Sequence, residues 1–132
     1  MATPPPVAKP SRPVYLDLTS IRQPLPAIVS ILHRASGALL FLAGIPLSLW
    51  ALQTSLGSAD AYASFAATLS HPLAKLVAIG FAWAYLHHLL AGVRHLLLDL
   101  HVGIDLGPAR RSSAIVFVLA LLFTLGIAIR LW

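Results

Sequence analysis

The stretch Ser30–Gly37, SILHRASG, sets a hydroxyl, an imidazole and a guanidinium three and four residues apart, inside the first turns of a long apolar run. On a helix this spacing puts Ser30 and Arg34 on one face, with His33 beside them. A hydroxyl next to a fixed cation suits a carbonyl oxygen that gains negative charge on reduction, as in a quinone at the membrane edge. A second polar group, His87, His88, Arg94, His95 and Asp99, lies in HHLLAGVRHLLLD. A neutral imidazole nitrogen is a ligand for haem iron. Arginine's planar fork matches a carboxylate. His33, Arg34, Arg94 and His95 would surround one anionic group, such as a haem propionate, if the two segments end at the same depth.

Each of these residues also has a plainer reading. An ionisable group inside a membrane span costs about 2.5–3.5 kcal/mol at the centre, which makes it a functional candidate by default. His88 lies about 9 Å from the Arg94 end at 1.5 Å per residue. Its face carries Ala84, Ala91, Gly92 and His95, small enough for a flat ligand to approach, but small residues also make helix-packing faces. His87 shares Ala84 and Ala91 and adds Gly80, so spacing does not separate the two histidines. Arg34 is equally suited to snorkel to lipid phosphates, and Ser30 to hydrogen-bond back onto its own helix. Asp99, five residues after Arg94 and four after His95, is a possible local charge partner for them.

The elements that would carry these residues are membrane helices. The 132-residue chain is 58% hydrophobic and 10% charged, too apolar for a soluble domain of this size. Three segments reach the roughly 20 apolar residues that a span needs: about 27–52, 73–93 and 114–132. Pro46 predicts a kink in the first, and AYASFAATL a short interfacial helix before the second. Arg130 and Trp132 close the third as a snorkelling cation and an interface aromatic. Residues 1–26 are read as an N-terminal tail and inner-face segment, without a secretory or organellar leader. A bacterial inner membrane is therefore expected before a mitochondrial one. With the N-terminus inside, seven cationic residues (Lys9, Arg12, Arg22, Arg34, Arg94, Arg110, Arg111) lie inside and two (Lys75, Arg130) outside, so N-in/C-out is expected. The net charge of +5 is topological on this reading, and no nucleic-acid partner is expected. With no cysteine, the chain itself cannot hold a thiolate iron–sulfur cluster or attach a c-type haem.

Two motifs resemble those of the cytochrome b membrane anchors of succinate dehydrogenase, the larger of the two anchor subunits. The first is Arg12, Pro13, then Ser30, His33, Arg34 and Ser36; the second is His88, Gly92, Arg94, His95 and Asp99. The resemblance implies a three-helix anchor packed against a second three-helix anchor, with a b haem between them and one axial histidine from each. It selects His88 as the axial ligand here, puts His33, Arg34 and His95 near the haem propionates, and makes Ser30 and Arg34 part of a ubiquinone site. It also implies iron–sulfur and flavoprotein subunits on the inner face, which deliver electrons from succinate. The run Leu96–Leu97–Leu98 departs from the aromatic or methionine that such sequences often carry before the aspartate. Two rival readings remain: an anchor of a quinol:fumarate reductase, and a non-redox three-helix scaffold or assembly subunit.

Overall fold

The computed structural model describes residues 20–132, all helix and connection with no strand among them. Lys9, Arg12, Pro13 and most of the 1–26 segment lie outside the described residues. Three helical spans are long and apolar enough to cross a membrane: Leu25–Gly57, Pro72–Asp99 and Leu106–Leu131.

The first span is not one uniform helix. Helix α1 (Leu25–Leu39) leads into a five-residue π-helical turn, Leu40–Gly44, and then into α2 (Ile45–Gly57). Pro26 sits in the first turn of α1, where backbone N–H groups have no helical partner to lose. The π turn answers to Pro46. Proline has no N–H for the Leu42 carbonyl, and its ring crowds that same carbonyl. The chain widens there, and the Ile45 N–H donates five residues back to the Leu40 carbonyl. The kink expected at Pro46 is thus a π turn one helical turn ahead of it.

The short helix expected from AYASFAATL is α3 (Ala59–Ser70), opened by the Ser58 hydroxyl, which accepts from the Ala61 N–H at 3.1 Å. His71 caps α4 (Pro72–Asp99), its Nδ1 accepting from the Leu73 N–H at 3.2 Å. Helix α4 ends in a Schellman turn. The N–H of Val102 donates to the Leu97 carbonyl and that of His101 to the Leu98 carbonyl, both at 2.9 Å. His101 takes the left-handed conformation there, with φ 61°. Helix α5 is Leu106–Leu131.

The observed spans exceed those drawn from hydropathy. Helix α4 runs six residues past Val93, so Arg94, His95 and Asp99 are helical, not loop residues. Helix α5 begins at Leu106, eight residues before Ala114, and carries Arg110 and Arg111 in its opening turns. Charge ends an apolar window, but it does not end a backbone hydrogen-bond ladder.

Helices α1, α4 and α5 pack pairwise into a bundle. Its buried positions are mostly small: Ala84, Ala91, Ala120, Val29 and Val116, with Ser36, Ser113 and Thr124. Small side chains let helices approach closely where lipid offers no hydrophobic drive between them. Buried hydroxyls are satisfied within their own helices, as Ser113 Oγ donates to the Ala109 carbonyl at 2.8 Å and Thr124 Oγ1 to the Ala120 carbonyl at 2.7 Å. Beyond the π turn the partnership changes. Helix α2 packs on α3 and leaves α4, and a wedge opens between the α2–α3 pair and α4.

Candidate functional site

The two adjacent histidines of α4 face different surroundings. His87 is fully buried, its ring stacked on Trp83 at 5.4 Å and edge-on to Phe117 of α5 at 6.4 Å. Its Nε2 lies 3.4 Å from the Val29 carbonyl of α1. His88 is half-buried and turns toward α1 and the wedge. Its Nδ1 lies 3.0 Å from the His33 carbonyl and 3.4 Å from Ser36 Oγ. Ser36 Oγ itself donates to that carbonyl at 3.0 Å. A carbonyl only accepts, so the His88 proton sits on Nδ1 and Nε2 keeps its lone pair. Nε2 has no hydrogen-bond partner among the described residues.

Gly37 makes this placement possible. A Cβ at residue 37 would come within 2.7 Å of His88 Cε1, closer than any carbon can sit. Glycine therefore lets the imidazole lie against the α1 backbone. The ring of His33 stacks on His88 at 4.3 Å with 13° between planes, and His95 lies tilted against His33 at 5.0 Å. His33, His88 and His95 thus form one contiguous group. Ser30 and Arg34 continue along the same side of α1, Ser30 half-buried and Arg34 exposed. Ser30 departs from the default for a helical serine: its hydroxyl makes no hydrogen bond among the described residues, whereas Ser36, Ser48, Ser55, Ser70 and Ser113 all bond back onto their own helices.

The wedge is a cavity of about 1400 Å³ that opens beside His88 and is walled in part by Leu40, Gly44, Phe81, Ala82 and Tyr85. Ser48 and Thr68 also line it, but their hydroxyls donate to the Gly44 and Ser64 carbonyls, and the wall is largely apolar apart from Tyr85 and His71. A b haem asks for an axial nitrogen lone pair, apolar room for a macrocycle and cationic or hydrogen-bonding groups for its carboxylates. His88 Nε2, the wedge, and Arg34 with His33 and His95 match these needs in kind. No group of three or more histidine or carboxylate side chains among the described residues is placed to hold a metal ion by itself. Iron at His88 would therefore need its other ligands from outside these residues, from a macrocycle or another subunit.

Several expected placements change. Ala84 and Ala91, read as small residues under a flat ligand, are buried in the bundle core with His87. Arg94 does not join His33 and Arg34 around one anion. It is buried and turned to α5, its Nε donating to Ser112 Oγ at 3.0 Å and its Nη2 to the Ala109 carbonyl at 3.4 Å. The cause is rotational: Arg94 lies one residue, about 100°, from His95 around the helix, on the His87 side. Asp99 is exposed at the end of α4 and has no ion-pair partner among the described residues, so the charge pairing with Arg94 or His95 is not formed. Sequence reasoning gave no role to Ser36 or Gly37. The available signal for Gly37 was its position inside an apolar helix, where glycine costs about 1 kcal/mol and asks for a packing reason.

Comparison with known proteins identifies the family of the chain. The family described as succinate dehydrogenase/fumarate reductase transmembrane subunit matches residues 8–127. The succinate dehydrogenase cytochrome b556 subunit of Paracoccus denitrificans is 38% identical over 103 residues, 78% of each chain. That of Coxiella burnetii is 37% identical over 122 residues, 92% of this chain and 97% of its own. The mitochondrial succinate dehydrogenase cytochrome b560 subunit of Sus scrofa is 30% identical over 122 residues, 89% of this chain and 70% of its own. With three membrane-length helices and a match across nearly its whole length, the chain belongs to the succinate dehydrogenase/fumarate reductase transmembrane-subunit family, as a cytochrome b membrane anchor.

Proposed function

We propose that this chain is the anchor subunit of a succinate dehydrogenase that binds haem b jointly with a second small anchor and helps form the site where ubiquinone is reduced. The observation that carries the reading is the setting of His88: Nδ1 held by the His33 carbonyl, Nε2 unpaired, and an apolar wedge alongside. The names of the relatives, cytochrome b subunits of succinate dehydrogenase, support the haem and the complex. The chain would sit in a bacterial inner membrane in the N-in/C-out orientation that its charge bias favours. The iron–sulfur and flavoprotein subunits would then dock at the end of the bundle that holds His33 and His95.

In this reading the chain's residues bind and orient; they do no redox chemistry themselves. His88 would hold the haem iron through Nε2, with its proton kept on Nδ1 by the His33 carbonyl and Ser36 at its side. Bound there, a b haem would supply a one-electron redox centre. Arg34, His33 and His95 would hold its carboxylates. Ser30, whose hydroxyl has no partner among the described residues, would donate it to a quinone carbonyl oxygen. Arg34, one turn further along, would stabilise the negative charge that develops on that oxygen, in a medium of low dielectric where one cation counts most.

The test separates quinone reduction from succinate oxidation. In the purified complex, Arg34→Ala is expected to lower succinate-driven ubiquinone reduction by about a hundredfold, the scale of removing a charge-stabilising donor. Ser30→Ala is expected to lower it by about tenfold, the scale of one hydrogen bond to a developing charge. Both should leave succinate oxidation by an artificial dye unchanged. Equal loss of the two activities would assign both residues to assembly and overturn the quinone-site reading.

A further inference from the structure

His87 is a buried polar group that the proposed function leaves unused. It is fully buried among α1, α4 and α5, and its Nδ1 is the only buried side-chain nitrogen or oxygen among the described residues without a hydrogen-bond partner. A leucine or phenylalanine would fill the space between Val29, Trp83 and Phe117 without that penalty, which runs to roughly 1–3 kcal/mol for an unsatisfied buried polar atom. The contact that offsets it is the one at Nε2, 3.4 Å from the Val29 carbonyl.

This contact fixes a tautomer. The carbonyl only accepts, so the His87 proton belongs on Nε2; the other tautomer would set two lone pairs against each other and bury an orphan N–H as well. His88 is in the opposite state, with its proton on Nδ1 toward the His33 carbonyl. Val29 and His33 are four residues apart, so their carbonyls are stacked one above the other, about 6 Å apart along α1. Two consecutive residues of α4 therefore grip two successive carbonyls of α1. One such bond would let α4 turn about it. Two, from side chains about 100° apart around α4, fix both rotation and register.

We propose that His87 is a positioning residue: its Nε2–H, donated to the Val29 carbonyl, locks α4 in rotation and register on α1 and thereby holds His88 with Nδ1 on the His33 carbonyl and Nε2 open to a metal. The proposal rests on the reading of His88 as a haem ligand, and its test keeps the two apart. The complex is purified in wild-type form and with His87→Leu, His87→Gln and His88→Ala. Haem per complex and the low-temperature EPR spectrum of the ferric haem are measured, with dye-linked succinate oxidation as the check of assembly.

His87→Leu is expected to assemble, to bind haem about tenfold more weakly, as for a lost partner that orients a metal ligand, and to shift the EPR signal. His87→Gln, whose amide still donates, is expected to bring both back toward wild type. A wild-type spectrum and haem content in His87→Leu would overturn the proposal, as would a glutamine variant no better than the leucine one. If His87→Leu fails to assemble, His87→Gln decides: a native signal supports the lock, and a second failure to assemble assigns His87 to ring packing alone. Loss of haem in His88→Ala beside an unaltered His87→Leu would remove only the lock. Full haem in His88→Ala would overturn the ligand reading and the lock with it.

Discussion

The two halves of α4 keep different company. From Ala84 to Arg94 its inward face is buried against α1 and α5, and every polar group there except His87 Nδ1 has a partner or belongs to the histidine group. From Pro72 to Ala82 the same helix borders the wedge, with α2 displaced onto α3 by the π turn ahead of Pro46. One half is closed by the chain itself and holds polar atoms at fixed distances. The other is open and largely apolar. His88 sits at the boundary, with one nitrogen on the closed side and the other free. On the proposed reading, in which the haem is shared with a second anchor, the closed wall would orient the ligand and the open one would receive the group.

The contrast can be broken first at Gly37, on the closed side. Gly37→Val drives side-chain carbon into the His88 ring, where even a Cβ would stand 2.7 Å from Cε1 in the middle of packed helices. Overpacking of this kind costs about 1–3 kcal/mol and displaces the ring from the His33 carbonyl. Haem content of the purified complex should fall to near background, as read from its visible spectrum. A wild-type haem content would mean that the His88 placement is not what Gly37 protects.

Arg94→Ala should have a smaller effect, of a different kind. It removes the hydrogen bonds to Ser112 and to the Ala109 carbonyl and thus loosens the start of α5 on α4. Thermal unfolding of the complex should show a loss of about 1–3 kcal/mol, in line with a buried charged donor, while ubiquinone reduction per assembled complex stays at the wild-type level. A selective loss of quinone activity would instead return Arg94 to the ligand side. On the open side, Ser48→Ala should change stability by no more than about 0.5 kcal/mol, since its hydroxyl only bonds back to the Gly44 carbonyl. A larger change in the same unfolding assay would show that the wedge wall is less inert than its hydrogen bonding implies.

The three membrane-length helices were legible from apolar runs, and α3 from its small-residue pattern. Their ends were not. The ladder of α4 continues through Arg94 and His95 to Asp99 because nothing in that stretch breaks it, and the stop comes from a Schellman turn whose left-handed residue is His101, two residues before Gly103. Pro46 signalled a distortion, but its site is set by the carbonyl four residues earlier, so the π turn lies upstream. His33 and His95 lie together with His88, as residues of two separate motifs brought into contact. His87 and His88 could not be told apart by spacing, because the choice depends on where α1 lies around α4, and that is a tertiary fact. Arg94 was misplaced for the same reason: adjacent to His95 in sequence, it faces a different helix.

The central claim is that His88, not His87, presents a nitrogen to haem iron. The most direct measurement is a dithionite-reduced minus oxidised visible spectrum of the detergent-purified complex, in wild type and in His88→Ala, with dye-linked succinate oxidation as the check that both are assembled. The account predicts a b-type signal in wild type that is lost in assembled His88→Ala. An undiminished b-type signal in assembled His88→Ala, or none in the intact wild-type complex, would contradict it.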